Sequence, residues 1–105
     1  MIAVDKETFQ TEVKEQKGHV LVDFWSESCE SCKALMPGVE ALAEKYAPQV
    51  KFVKLDVAKA RRLAIGEKVL GLPTIAIYSD GQKIDEVVKD DATAESIEAM
   101  IQKIL

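Results

Sequence analysis

Apolar positions along the chain switch between two spacings, and the switches divide it into alternating helices and strands. Phe9 and Val13 form an i, i+4 pair behind Asp5, a helix-capping residue, which predicts a short first helix ended by Lys17-Gly18. Val20-Leu21-Val22-Asp23-Phe24-Trp25 is an apolar run of strand length holding one carboxylate, the pattern of a strand covered on both faces. Ser26-Glu27-Ser28 then turns the chain into a long helix, because Leu35, Val39, Leu42, Ala43 and Tyr46 recur at helical spacing up to Ala47-Pro48. A second buried strand reads Val50 to Val57, and Ala58 to Lys68 has helical composition, with Leu63, Ala64 and Glu67 free to pack or face water. Beyond Gly71-Leu72-Pro73, Thr74 to Tyr78 is rich in β-formers, Ser79-Asp80-Gly81-Gln82 is a hairpin turn, and Ile84 to Val88 returns. A last helix starts near Thr93, with Ile97, Met100, Ile101, Ile104 and Leu105 in one stripe and Glu95 and Glu98 toward its positive end.

Strands alternating with helices, closing on a hairpin and a helix, predict an α/β fold with a mixed sheet sandwiched between helices. A length of 105 residues gives one domain over residues 1–105, and 48% hydrophobic with 30% charged residues is the composition of a chain that folds. Fourteen Lys and Arg against 18 Asp and Glu leave a net charge of −4, which counts against nucleic acid or an anionic membrane as the main partner. Met1 to Glu7 lacks the basic segment and apolar stretch of a secretory signal, and no apolar run approaches the roughly 18 residues that span a bilayer.

The chemistry points to the cysteines. Two cannot make a disulfide scaffold, and the spacing Cys29-x-x-Cys32 is that of a redox pair or of half a zinc site. A cysteine between a strand exit and a helix start faces unpaired backbone N–H groups and the positive dipole end, which favour a thiolate at Cys29. Cys32 follows about one turn later, near enough to close a disulfide. Lys33 adds positive potential there and Glu30 negative, so the two oppose each other. Inert buried thiols are an alternative, although a strand-turn-helix setting is where these are least expected. A zinc site needs four ligands, and two Cys with His19 would require a second chain to complete it. Asp23 is the odd residue of its strand: buried and unpaired, it should hold its proton to higher pH and be able to move it. The other reading of Asp23 is a surface ion pair with Lys54, and His19 is expected to be exposed ahead of the strand.

Asp23-Phe24-Trp25, Cys29-x-x-Cys32-Lys33, Pro37, Lys54-Leu55-Asp56, Gly71-Leu72-Pro73-Thr74 and Gly81, in this order and spacing, resemble the thioredoxin family from about Val4 to Leu105. Within it, Ala60-Arg61-Arg62-Leu63-Ala64-Ile65 and Lys89-Asp90-Asp91-Ala92-Thr93 are similar to the thioredoxins of amino-acid-fermenting anaerobes that have glycine-reductase systems. The resemblance implies a thioredoxin fold and a thiol–disulfide oxidoreductase that reduces protein disulfides, with Cys29 as nucleophile and Cys32 as resolving cysteine. It implies that Asp23 accepts or returns the Cys32 proton under the influence of Lys54. Trp25, Glu30, Ser31, Leu72 and Pro73 would form the substrate face, holding the substrate as a short β-strand beside a cis Leu72-Pro73 peptide. Expected partners are a thioredoxin reductase, disulfide-containing proteins and glycine reductase components, for a cytoplasmic monomer using no metal or other cofactor.

Departures from the family pattern bear on tuning. The usual Trp-Cys-Gly-Pro-Cys is Ser28-Cys29-Glu30-Ser31-Cys32 here, which removes apolar contact surface before Cys29 and adds a Ser31 hydroxyl able to bond a thiolate. Lys89 stands where the family often has glycine beside the substrate groove. Redox potential and partner choice are therefore expected to differ from a standard thioredoxin. Two rival readings are the same chemistry poised as an oxidant or isomerase, and a docking subunit of a larger reductase.

Overall fold

The computed structural model describes residues 1–105 and is organised around the apolar run at its centre. β1 is Ile2–Val4, β2 His19–Trp25, β3 Lys51–Asp56, β4 Thr74–Ser79 and β5 Gln82–Val88, and they form one sheet in the order β1-β3-β2-β4-β5. β3 runs parallel to both β1 and β2, whereas β4 is antiparallel to β2 and to β5. β2 is thus the central strand, hydrogen-bonded on both edges and covered on both faces, as its sequence requires. The alternation of side chains then sorts the core. Leu21, Phe52, Ile75 and Ile77 meet Val39, Leu42 and Tyr46 of α1 (Glu30–Tyr46) and Ile97, Met100 and Ile101 of α3 (Ala94–Gln102). Val20, Val22, Phe24, Val53, Leu55 and Tyr78 meet Phe9, Val13 and Ala60 on the other face, where Leu63 of α2 (Arg61–Gly66) also packs.

Several boundaries differ from the sequence pattern, each for a local reason. The first helix is a single π-helical turn, Gln10–Lys14. Asp5 does cap, but its carboxylate takes the N–H groups of Glu7 and Thr8, and Thr8 bonds back to the Asp5 N–H, closing a turn. β1 is an added strand, three residues long and too short to show a period of two. The helix expected over Ala58–Lys68 is confined to Arg61–Gly66, and a 3₁₀ turn, Val57–Lys59, precedes it, because Asp56 accepts the Ala58 N–H and ends β3 tightly. The hairpin loop is two residues, Asp80 (φ 50°) and Gly81 (φ 83°), so β5 begins at Gln82, two positions before Ile84. α3 carries the expected cap, Thr93 and Ser96 each accepting the other's backbone N–H, but Leu105 lies beyond the helix and is 57% exposed. Ala47-Pro48 and Leu72-Pro73 are both cis. No helix is long and apolar enough to cross a membrane.

Candidate active site

β2 ends at Trp25, and Cys29 is the last residue before α1, with extended backbone. Its N–H donates to the Ser26 carbonyl at 3.1 Å, which closes the connecting turn. Its Sγ accepts the Cys32 N–H at 3.2 Å, filling the role that a side-chain oxygen fills at an ordinary helix start. The sulfur therefore sits against free donors and the positive end of a 17-residue helix. Ser31 Oγ lies 3.5 Å from the same sulfur, placed to donate to it. Cys32 is 1% exposed, on the side of α1 turned to the sheet, while Cys29 is half-buried. The pair is joined as a disulfide with Cα atoms 5.2 Å apart, and a solvent-borne reactant reaches one sulfur of the two.

The opposed charges beside the cysteines meet each other: Lys33 Nζ is 3.7 Å from Glu30 Oε1, both side chains exposed. That pairing leaves the helix terminus, the Cys32 N–H and the Ser31 hydroxyl as the groups that favour a thiolate at Cys29.

Asp23 shares the parity of Leu21 on β2 and so points to the face that α1 covers. It is 1% exposed, and neither carboxylate oxygen has a hydrogen-bond partner. Burial drives its pKa from 3.8 up to about 7, with the positive charge of Lys54 pulling partly against the rise. Lys54 is its neighbour in the β2–β3 register, yet its ammonium stands 5.6 Å over the Trp25 ring and makes no ion pair with Asp23. A surface ion pair is thus not what the structure holds. His19 is the first residue of β2, half-buried with Nδ1 unpartnered, at the opposite end of that strand from Trp25.

The loop Gly71-Leu72-Pro73 runs into β4, whose Thr74 lies opposite Phe24, so the loop and Trp25 share one end of the sheet. The Gly71 carbonyl accepts from Thr74 Oγ1 at 2.6 Å and the Pro73 carbonyl from the Lys89 N–H at 2.7 Å. Between them, the N–H and C=O of Leu72 make no hydrogen bond within the chain. A half-exposed peptide with both groups free can add a backbone partner in the manner of a sheet edge. The sequence does not announce this: which loop carbonyls are already taken depends on Thr74 and on Lys89, one of them sixteen residues away.

The groups brought together are thus Cys29, Glu30, Ser31, Cys32 and Trp25 at the β2–α1 turn, Asp23 and Lys54 on the sheet beneath α1, and Leu72-Pro73 at the same sheet end. A groove of about 670 Å³ lies elsewhere, between Met1-Ile2 and the C-terminal end of α1 at Ala47-Pro48. No three His, Cys, Asp or Glu side chains gather in a group that would hold a metal ion.

The family model described as Thioredoxin matches residues 1–103. A thioredoxin of Acetoanaerobium sticklandii is 64% identical over 105 residues, the full length of both chains. A thioredoxin of Peptoclostridium acidaminophilum is 57% identical over 103 residues, 98% of this chain and 94% of that protein. Thioredoxin 1 of Synechococcus elongatus is 40% identical over 86 residues, 82% of this chain and 80% of that one. The two higher identities are with amino-acid-fermenting anaerobes, the group that the segments around Arg61 and Asp90 resemble.

Proposed function

The chain belongs to the thioredoxin family and is a thiol–disulfide oxidoreductase with protein-disulfide reductase activity, and on that premise we propose how its residues divide the work. One observation carries the assignment: Cys29 is accessible and accepts a helix-start N–H, whereas Cys32 is sealed on the sheet-facing side of α1. The Cys29 thiolate attacks one sulfur of a substrate disulfide and expels the other as a thiolate, which takes up a proton from water. Cys32 gives its proton to the Asp23 carboxylate and attacks Cys29 Sγ, so that the second substrate sulfur leaves as a thiolate. The substrate has gained two electrons, and the protein is left with the Cys29–Cys32 disulfide that the structure contains. Asp23, held near pH 7 by burial, exchanges that proton at ambient pH, and Lys54 lowers the cost of its ionised form. Trp25, Glu30, Ser31 and Leu72 form the substrate face, with the free Leu72 peptide pairing to an extended segment, and Pro73, itself buried, holds that loop from behind rather than facing the substrate.

Family membership carries with it a reductase that restores the dithiol and disulfide-bearing protein substrates. A flavin-containing thioredoxin reductase in a reducing cytoplasm fits the first role. Components of a glycine reductase fit the second, given the two anaerobic relatives. The whole of residues 1–105 would act as one domain and as a monomer.

The test is a pair of cysteine variants. Cys32→Ser should accumulate a mixed disulfide with substrate at Cys29, and Cys29→Ser should form none. The reverse pattern would overturn the assignment. A midpoint potential near about −270 mV, followed by Trp25 fluorescence in dithiol/disulfide buffers, is expected for a reductant, against about −180 to −120 mV for an isomerase or oxidant.

A further inference from the structure

Lys89 is built in a way that an indifferent surface lysine is not. Its backbone is left-handed, φ 52°, a conformation that glycine adopts freely and a side chain resists. Its N–H is committed to the Pro73 carbonyl at 2.7 Å, which fixes the residue to the loop that presents the free Leu72 peptide. Its side chain lies flat on Gly71: a Cβ added there would fall 2.2 Å from Lys89 Cε and 3.3 Å from both Cδ and Nζ. The lysine stem occupies the space that a side chain at position 71 would fill. Its ammonium nonetheless enters none of the chain's ion pairs, although Asp90 and Asp91 follow directly. A non-glycine residue kept in a resisted conformation, with its charge unpaired over a recognition loop, points to a use for that charge.

We propose that Lys89 is a specificity-determining residue, selecting as substrate or partner an extended protein segment that carries a carboxylate beside its disulfide cysteine. The inference rests on the proposed role of the Leu72 peptide as the strand-pairing edge. A segment paired there passes over Gly71, and the ammonium resting on Gly71 meets its side chains. The neighbouring charges do not supply this preference: Glu30 and Lys33 offset one another, Lys54 is turned onto Trp25, and the chain as a whole is −4. The overall field therefore repels acidic segments, and a preference for them has to arise locally.

The experiment uses three disulfide-linked peptides of equal length whose cysteines are flanked by Asp, Ala or Lys, with rates of reduction by the reduced protein measured at low and high salt. The Asp-flanked peptide should react about two- to fivefold faster than the Lys-flanked one at low salt, with the ratio falling at high salt. In Lys89→Gln, which keeps most of the stem and removes the charge, the ratio should drop to about one or below, and in Lys89→Glu it should invert. Gly71→Ala keeps the charge but pushes the flexible stem off the loop, and should also lower the ratio. A wild-type ratio of one, a ratio unchanged in Lys89→Gln, or one unchanged in Gly71→Ala overturns the proposal. Failure of the underlying reading looks different: the Ala-flanked peptide would then show no strand-pairing dependence, reacting no faster than a free disulfide of the same cysteine.

Discussion

Replacing Asp23 with Asn should stabilise the fold, and the gain should depend on pH in a way that only a buried, unpaired carboxylate produces. The folded state holds the Asp23 proton until about pH 7, whereas the unfolded chain releases it near 3.8. Between those values the unfolded state gains free energy from ionisation that the folded state does not. Stability therefore falls as pH rises through the window, by about 1.4 kcal/mol per pH unit, and levels off above about pH 7 at a loss of about 4 kcal/mol. Asn carries no charge and escapes this loss. It does bring an amide NH₂ into a place where neither Asp23 oxygen has a partner, at a cost of about 1–3 kcal/mol. The net effect at about pH 8.5 is a gain of about 1–3 kcal/mol, and near pH 5 a change close to zero or a small loss. Urea unfolding of the disulfide form of both proteins at the two pH values measures this without thiol titration. The variant's advantage should grow by about 3 kcal/mol between them at unchanged m-value. An advantage that is the same at both pH values would refute the reasoning, because the Asp23 carboxylate would then be solvated or paired.

Ser31→Ala removes the hydroxyl 3.5 Å from Cys29 Sγ, and should shift the thiolate titration of the reduced protein to higher pH while Ser31→Thr does not. Thiolate absorbance against pH in the reduced protein measures this, and equal titrations would remove Ser31 from the site. Gly81→Ala places a Cβ 2.1 Å from the Lys14 carbonyl oxygen at φ 83°, and should cost about 3 kcal/mol in urea unfolding. A loss below about 1 kcal/mol would mean that the hairpin tip and the turn at Lys14 separate easily.

What the sequence made legible were features set by neighbours along the chain. The unbroken apolar run of β2 required cover on both faces, the Asp80-Gly81 pair required a tight hairpin, and Thr93 required a helix start. Cys29 and Cys32 could be placed at a helix start because a strand, a polar turn and a helical stripe surround them in order. Asp23 stood out because the other residues from Val20 to Trp25 are all apolar. What stayed hidden were long-range settlements between side chains. That Glu30 and Lys33 answer each other, that Lys54 turns to Trp25, and that the Lys89 stem lies on Gly71 are matters of reach. β1 was hidden for another reason: three residues take their strand conformation from β3, and their own pattern carries no signal.

Three exceptions to ordinary folding rules meet at one end of the sheet. There lie a carboxylate without a partner, a lysine in a left-handed backbone and a peptide with both hydrogen-bonding groups free. Most other buried polar groups are satisfied in the usual way, His19 Nδ1 at the far end of β2 excepted: Tyr78 OH donates to Glu67, and Tyr46 OH to Glu98, which also pairs with Lys45. The two halves of the chemistry share one cause. The layer of α1 packed on β2 shuts water away from Cys32, and the same exclusion raises the pKa of Asp23. A looser layer would relieve the carboxylate but would open Cys32 to solvent, and the accessible and sealed sulfurs would lose their distinction. The instability that Asp23 imposes above pH 7 follows directly from keeping the resolving cysteine dry. That is why a variant that removes the cost should fold better and return the Cys32 proton more slowly.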